Sequence, residues 1–482
     1  MALNPNRCYE ALKARDARFD GVFFVGVSTT KIYCRPVCTV RLPGRDRCTF
    51  YPNAASAEAA GYRPCLRCRP ELAPGAAAVD AVRRVSDQAV SRIEAGALSD
   101  AGIEELAAEF GISSRQLRRI VKQEYGVTPV ELAQTRRLLL AKQLIADTQL
   151  RMIDVAFASG FSSVRRFNHL FQTRYKLNPT ALRRTQQFDS KSTFITLKLG
   201  YRPPLAWPEL AQFLTARGVP NIERVENNRY VRTVRIGRHR GWIAAFPDER
   251  QHLLCVEVSP DLLPILMQLR ARLRHLFDLD ANPTIIEAHL SADKNLASFI
   301  RATPGLRIPG TLDGFEMALR AVLGQQISVK AATTIYGRFA EYFGEQIKTP
   351  FDGLDRLPPT AEAIANAGLQ SIIDCGLTQK RAATVQALAR AVADKTLSLQ
   401  PAGNLEETTK VLNSIPGISP WTTQYIAMRA LADPDAFPHS DLALLKAFQL
   451  KRPAELLKAA GSWQPWRAYA AMHIWNSMAA GG

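Results

Sequence analysis

The chain has 482 residues, 47% hydrophobic and 22% charged, with 62 Lys and Arg against 44 Asp and Glu for a net charge of +18. This globular composition is spread over too many residues for one ordinary core, so three or four domains are expected, and no apolar run is long enough to span a bilayer. The positive surplus is shared by both halves and suits a polyanionic partner, most simply nucleic acid, whose backbone releases counterions for each phosphate neutralised.

The N-terminal residues MALNPNRCYEALKARD lack the apolar centre of a secretory signal, so the protein is expected in the cytoplasm, where thiols stay reduced. Eight cysteines lie at positions 8, 34, 38, 48, 65, 68, 255 and 375. Cys34 and Cys38 in YCRPVC, and Cys65 and Cys68 in RPCLRC, are two close pairs separated by 26 residues. Such a pattern closes a tetrahedral thiolate site around Zn²⁺, which favours soft sulfur ligands. Cys8, Cys48, Cys255 and Cys375 have no such partners and read as inert.

The stretch GVFFVGVSTTKIYCRPVCTVRLPGRDRCTFYPNAASAEAAGYRPCLRCRPE closely resembles the N-terminal zinc domain of the Ada-type adaptive-response proteins, and a domain of this kind is expected over residues 1–75. The resemblance implies that Cys34 takes a methyl group irreversibly from a DNA methylphosphotriester. Lys31 and Arg35 stand beside it and are expected to hold the backbone substrate. Zinc with four thiolates carries two net negative charges, and alkylation removes one. Repulsion from DNA phosphates then falls, which makes the lesion a switch that raises DNA affinity.

After the Pro/Gly/Ala-rich ELAPGAAA linker, IEELAAEFGISSRQLRRIVKQEYGVTP places Ile103, Leu106, Ala107 and Phe110 at helical spacing. A break follows at Gly111, then a Ser-capped helix with Arg115, Arg118 and Arg119 outward. The design repeats in MIDVAFASGFSSVRRFNHLFQTRYKLNPTALRR, with Gly160 as the turn, Ser162 or Ser163 as the cap, and Arg165, Arg166, Asn168 and His169 on the second helix. The helix AQTRRLLLAKQLI joins the two. Residues 80–186 therefore resemble an AraC-type tandem helix-turn-helix domain, which implies that both second helices enter successive major grooves. Some outward side chains are expected at base edges and others at phosphates only.

Ada-type chains usually end in a second methyl-acceptor domain marked by Pro-Cys-His-Arg. That tetrapeptide is absent, so repair of base O-methyl lesions by that route is not expected. Residues 192–284 instead alternate strand-like runs with helical ones and read as a small antiparallel sheet with packing helices. Residues 285–482 are nearly all helical, punctuated by Gly and Pro.

Within them LNSIPGISPWTTQYIAMRAL reads as helix, Pro-Gly hairpin, helix, with Pro416, Gly417 and Ser419 presenting backbone N–H groups to a phosphate at a helix N-terminus. With Asp441 downstream, residues 192–482 strongly resemble the helix-hairpin-helix DNA glycosylases, specifically the 3-methyladenine DNA glycosylase II family. The resemblance implies Asp441 as the catalytic carboxylate and Trp421, Tyr425 and Trp475 as the aromatic pocket. It sets Gln326 of LGQQIS at the residue pushed into the gap left by the flipped base. Trp421 stands where bifunctional relatives carry a Schiff-base lysine, so a monofunctional enzyme is expected. A structural monovalent ion held by backbone carbonyls of the hairpin would carry no side-chain signature.

Other readings attach to the same residues. Asp441 also stands where the helix LALLKAF wants an N-cap, the aromatic residues suit a plain core, and His439 and His473 read as hydrogen-bonded structure. The fold expected is multidomain α+β: a small zinc-bound α+β domain, an all-α tandem helix-turn-helix domain, a small antiparallel α+β domain and an all-α helix-hairpin-helix core. The function expected is DNA alkylation repair by hydrolysis of the N-glycosidic bond of alkylated bases, fused to a methylation-sensing regulator. Its partners are damaged and operator double-stranded DNA, together with RNA polymerase if the regulator activates transcription. The rival is a methylation-activated regulator whose C-terminal domain binds damaged DNA without catalysis.

Overall fold

Four short strands carry the cysteine pairs: β1 (Phe24–Val27), β2 (Ile32–Cys34), β3 (Cys48–Tyr51) and β4 (Arg63–Pro64), in the order β3-β1-β2-β4. β2 runs parallel to β4 with Tyr33 opposite Pro64. Cys34 at the end of β2 and Cys65 just past β4 therefore finish side by side, and the Cys65 N–H donates to the Tyr33 carbonyl at 3.0 Å. Pairing thus brings together cysteines far apart in sequence.

The computed structural model describes residues 3–74, 85–100, 102–183, 194–401 and 404–480. Beyond Pro74, the linker read in ELAPGAAA lies outside them. The chain divides into two compact units, Met1–Pro203 with Pro247–Arg272, and Pro204–Phe246 with Leu273–Gly482.

In the first unit both helix-turn-helix pairs form. Ile103–Ala108 and Ser114–Tyr125 turn at Gly111 (φ 66), and Met152–Ala158 and Val164–Tyr175 turn at Gly160 (φ 79). Ser113 and Ser163 cap the second helices by accepting from the Gln116 and Arg166 N–H groups, each at 3.2 Å. The joining helix, Pro129–Asp147, opens with a reciprocal capping box between Thr128 and Glu131. It is buried along much of its length, where the zinc module and neighbouring helices, Met152–Ala158 among them, pack against it. Arg69 forks onto Asp147 with two 2.7 Å hydrogen bonds, and Lys142 pairs with Glu71 at 2.6 Å. The antiparallel strands β5 (Ile195–Gly200) and β9 (Leu253–Val258) belong to the same unit.

In the second unit, β6 (Glu223–Glu226), β7 (Arg229–Ile236) and β8 (His239–Asp248), up to Phe246, make an antiparallel meander. The remaining structure is helical. Gly314–Leu323, Gln379–Ala393 and Pro420–Arg429 bury most of their apolar side chains, while Leu442–Ala447 and Arg467–Ala480 lie alongside each other. The chain is multidomain α+β, as expected. No helix among the described residues is long and apolar enough to cross a membrane.

Candidate active site and metal centre

The hairpin is built as its sequence requires. Helix Leu405–Ser414 ends, the chain turns through Pro416 and Gly417 at φ 92, and Ser419 caps helix Pro420–Arg429 by accepting from the Thr422 N–H. Thr423 donates to Asn413 at 2.7 Å and ties the two helices together. Thr384 donates to the Pro416 carbonyl at 2.8 Å. Among the described residues the N–H groups of Gly417 and Ser419 make no hydrogen bond to protein. A turn with free N–H groups at a helix N-terminus is an anion cradle.

The second helix of the hairpin aims Trp421 and Tyr425 into a cavity of about 740 Å³ that Trp475 and Asp441 also line. Trp421 and Tyr425 stack with centroids 5.0 Å apart and planes at 15°, and Trp475 meets Tyr425 edge-on at 6.1 Å. Asp441 caps helix Leu442–Ala447, its Oδ1 accepting from the Ala443 and Leu444 N–H groups at 3.0 Å. The same carboxylate accepts from the Trp421 indole at Oδ2 and the Trp475 indole at Oδ1, both at 3.0 Å. The cap reading and the cavity reading of Asp441 are therefore compatible. One oxygen anchors the helix, and the carboxylate as a whole faces the aromatic walls.

Behind these walls stand two arginines. Arg429 donates to the Tyr425 hydroxyl at 2.9 Å and to the Pro309 carbonyl at 2.7 Å, and the Arg217 guanidinium lies 3.7 Å over the Phe213 ring. Burial pushes the Tyr425 phenol up, but Arg429 and Arg217 outweigh it and leave the phenol below its ordinary value. The far wall is closed by buried ion pairs, Arg232 with Glu316 at 2.9 Å and Arg320 with Glu223 at 2.6 Å. Among the described residues no lysine lines the cavity.

Gln326 also lines the cavity; it is exposed, with a left-handed backbone at φ 58. His439 is a local structural residue with Nδ1 3.3 Å from the Phe437 carbonyl, and His473 is buried.

In the first unit the Sγ atoms of Cys34, Cys38, Cys65 and Cys68 all lie within 4.8 Å of one another. Cys34 is only 4% exposed. Hydrogen bonding to Cys38 holds the Cys34 thiol up, and the same bond draws Cys38 down. Four thiols this close ionise together only around a cation, and the all-sulfur tetrad fits Zn²⁺. Cys8, Cys48, Cys255 and Cys375 are buried and outside the cluster.

Lys31 is exposed, with its ammonium 5.3 Å over the Tyr62 ring. Arg35 differs from expectation. Its side chain pairs with Asp20 and donates to the Cys68 carbonyl at 3.1 Å, so it braces the metal loop. On the helix-turn-helix pairs, Arg115, Arg118, Arg119, Arg165, Arg166 and His169 are exposed and Asn168 half-buried. Arg118 is drawn partly toward Glu104 at 3.4 Å.

Several residues of these sites escaped the sequence reading. Arg429 follows Tyr425 by one helical turn, a spacing that signals a shared face. Phe213, Arg217 and the Glu223 wall come from a segment some two hundred residues upstream, where no local pattern points to the hairpin.

The chain matches the family models for the metal binding domain of Ada (residues 7–71), a helix-turn-helix domain (106–185), the AlkA N-terminal domain (196–313) and the HhH-GPD superfamily base excision DNA repair protein (319–455). It is 39% identical to the probable bifunctional transcriptional activator/DNA repair enzyme AlkA of Mycobacterium tuberculosis, over 98% of this chain and 96% of that one. It is 36% identical to DNA-3-methyladenine glycosylase 2 of Escherichia coli, over 58% of this chain and 95% of the relative. The 3-methyladenine DNA-glycosylase of Archaeoglobus fulgidus shares the fold, with a TM-score of 0.50 at 20% identity over 58% of this chain and 96% of that one.

Proposed function

The chain belongs to the AlkA family of fused transcriptional activator and DNA repair enzymes, and from that premise we propose that it repairs alkylated DNA at two separate sites. The second unit is a glycosylase that hydrolyses the N-glycosidic bond of alkylated bases such as 3-methyladenine and 7-methylguanine. The observation that carries this is the convergence of the Asp441 carboxylate with Trp421, Tyr425 and Trp475 in one cavity beside the hairpin.

The hairpin N–H groups of Gly417 and Ser419 grip a backbone phosphate. The damaged base leaves the stack, at a cost that is lower for weakened pairs. Bases alkylated at N3 or N7 are cationic, and the faces of Trp421, Tyr425 and Trp475 attract them. When the bond from C1′ to the base nitrogen breaks, its electron pair stays with the base and neutralises that charge. Asp441 stabilises the positive charge left on the sugar and orients the water that adds at C1′, whose proton passes to the carboxylate or to solvent. With Trp421 at the hairpin and no cavity lysine among the described residues, no Schiff base forms and an abasic site is the product.

The first unit senses backbone methylation. Cys34 is the acceptor: its Sγ bonds to the methyl carbon as the carbon–oxygen bond of the triester breaks, leaving a phosphodiester anion. Zinc held by Cys34, Cys38, Cys65 and Cys68 would keep the sulfurs ionised. Arg115, Arg118, Arg119, Arg165, Arg166 and Asn168 face operator DNA, with RNA polymerase the further partner of an activator. A monovalent ion at the hairpin carbonyls and a cytoplasmic location complete this reading.

The test is base release from methylating-agent-treated duplex DNA by the intact protein and by Asp441→Asn, with strand breaks scored before and after alkali. Free 3-methyladenine from the wild type alone, with breaks only after alkali, is expected. Release by neither protein despite tight DNA binding would leave a regulator that recognises damage without cutting.

A further inference from the structure

Three elements of the second unit meet behind Gln326. The first is the loop after helix Gly314–Leu323, which places Gln325 half-buried and Gln326 exposed. The second is the hairpin, and the third is helix Gln379–Ala393. Each touches the other two through named side chains. The Gln325 amide donates to the Thr422 hydroxyl at 2.7 Å, and that hydroxyl lies 3.0 Å from the hydroxyl of Ser419, the hairpin cap. The Arg381 guanidinium donates to the carbonyls of Leu323, at 3.2 Å, and of Gln325. Thr384, one turn further along the same face, donates to the Pro416 carbonyl, and a Cβ on Gly417 would lie 2.2 Å from its Oγ1.

This arrangement answers a local problem. A non-glycine residue at φ 58 is strained and persists only where its surroundings over-determine it. Gln325 is held at both ends, its carbonyl by Arg381 and its amide by Thr422, so the chain has little freedom to relax at the next residue. Arg381 also sets a positive charge against the C-terminal carbonyls of helix Gly314–Leu323, the negative end of its dipole. The Gln326 backbone is thereby held in fixed register with the hairpin turn, and its side chain is presented at the surface.

We infer that Gln325 and Arg381 are positioning residues for base extrusion, locking the Gln326 loop to the hairpin so that gripping the backbone and filling the vacated stack are one rigid event. This rests on the reading of Gln326 as the residue that enters the gap. A pre-organised wedge avoids ordering a loop at the moment of flipping, and that benefit is greatest where the base pair resists most.

The experiment measures single-turnover excision of 7-methylguanine from a duplex with 2-aminopurine beside the lesion, for the wild type, Gln326→Ala, Gln325→Ala and Arg381→Gln. Each lesion is placed opposite cytosine or opposite an abasic site. Opposite cytosine, all three variants should lose about tenfold in excision and slow the 2-aminopurine rise equally. Opposite an abasic site, where no pair holds the base, the loss should shrink to about twofold. A general structural defect would slow both substrates alike and would overturn the inference. Loss in Gln326→Ala with full rates in Gln325→Ala and Arg381→Gln would overturn it while keeping the wedge. A full rate in Gln326→Ala would overturn the wedge reading and the inference with it. Should Arg381→Gln fail to fold by thermal melting, Arg381→Lys, which keeps the charge but cannot fork onto two carbonyls, takes its place under the same criteria.

Discussion

The Trp475 indole donates to Oδ1 of Asp441 at 3.0 Å, while the Trp421 indole holds Oδ2 from the other side at the same distance. The two rings expected to stack on the base thus also aim the carboxylate. Trp475→Phe keeps an aromatic face and removes only the donor, so it separates the roles. A hydrogen bond to a charged group contributes about 1.5–3 kcal/mol. The maximal rate of base release should therefore fall about tenfold or more, with little change in KM. In an Asp441→Asn background the same substitution should cost nothing further. A rise in KM with an unchanged maximal rate would mean that Trp475 only stacks.

Gly417 is required twice over, by its φ of 92 and by the 2.2 Å approach of a notional Cβ to Thr384 Oγ1. Gly417→Ala should destabilise the second unit by about 1–3 kcal/mol and weaken DNA binding, because the turn that presents its N–H must open. Gly461, where a Cβ meets nothing within 4 Å, is the control, and Gly461→Ala should leave both unchanged. Thermal melts and titrations against undamaged duplex measure the two effects.

Local patterns were readable because each is fixed by short-range physics. The two helix-turn-helix pairs, the Gly turns at 111 and 160 and the Pro-Gly hairpin all form where glycine and cap residues dictate. The Cys tetrad was legible because its ligand types and spacing leave few other uses. What escaped depends on tertiary approach: the packing of Phe213 and Arg217 behind Tyr425, the commitment of Arg35 to Asp20, and the seating of helix Pro129–Asp147 on the zinc module. None has a sequence period. The cap and cavity roles of Asp441 could be posed from sequence as alternatives, but in the fold one carboxylate serves both.

Glu58 is a second such convergence. Buried at 4% exposure, it accepts from Tyr33 beside Cys34 at 3.0 Å, from Thr135 of the joining helix at 2.9 Å, and from Tyr175 of the last recognition helix at 3.3 Å. Glu58→Gln replaces an oxygen by an amide donor facing hydroxyls that already donate. We expect a loss of about 1–3 kcal/mol, with the zinc module, the joining helix and the second helix-turn-helix pair loosening together. Hydrogen exchange would check this. Loosening confined to the zinc module would show that Glu58 does not join them.

A half-buried carboxylate and a buried imidazole in the second unit titrate with opposite signs. Burial pushes Asp278 up to about 6 from an ordinary 3.8, although Arg307, the Tyr469 hydroxyl at 2.7 Å and the Ile308 N–H pull it partly back. Burial holds His473 down to about 4 from 6.5. A raised folded value means that the folded state holds its proton more tightly. Asp278 therefore favours folding fully below pH 3.8, and this contribution disappears as pH rises through 6. The lowered His473 has the opposite sign: its contribution is full above pH 6.5 and is lost as pH falls through 4. Each change amounts to about 3 kcal/mol, since a shift of one unit is about 1.4 kcal/mol. The two nearly cancel between pH 4 and 6. Asp278→Asn leaves His473 unopposed, so the urea midpoint of this unit should fall more steeply on acidification than in the wild type, by the equivalent of about 3 kcal/mol between pH 6.5 and 4. Parallel midpoint curves for the two proteins would show that Asp278 does not take up its proton on folding.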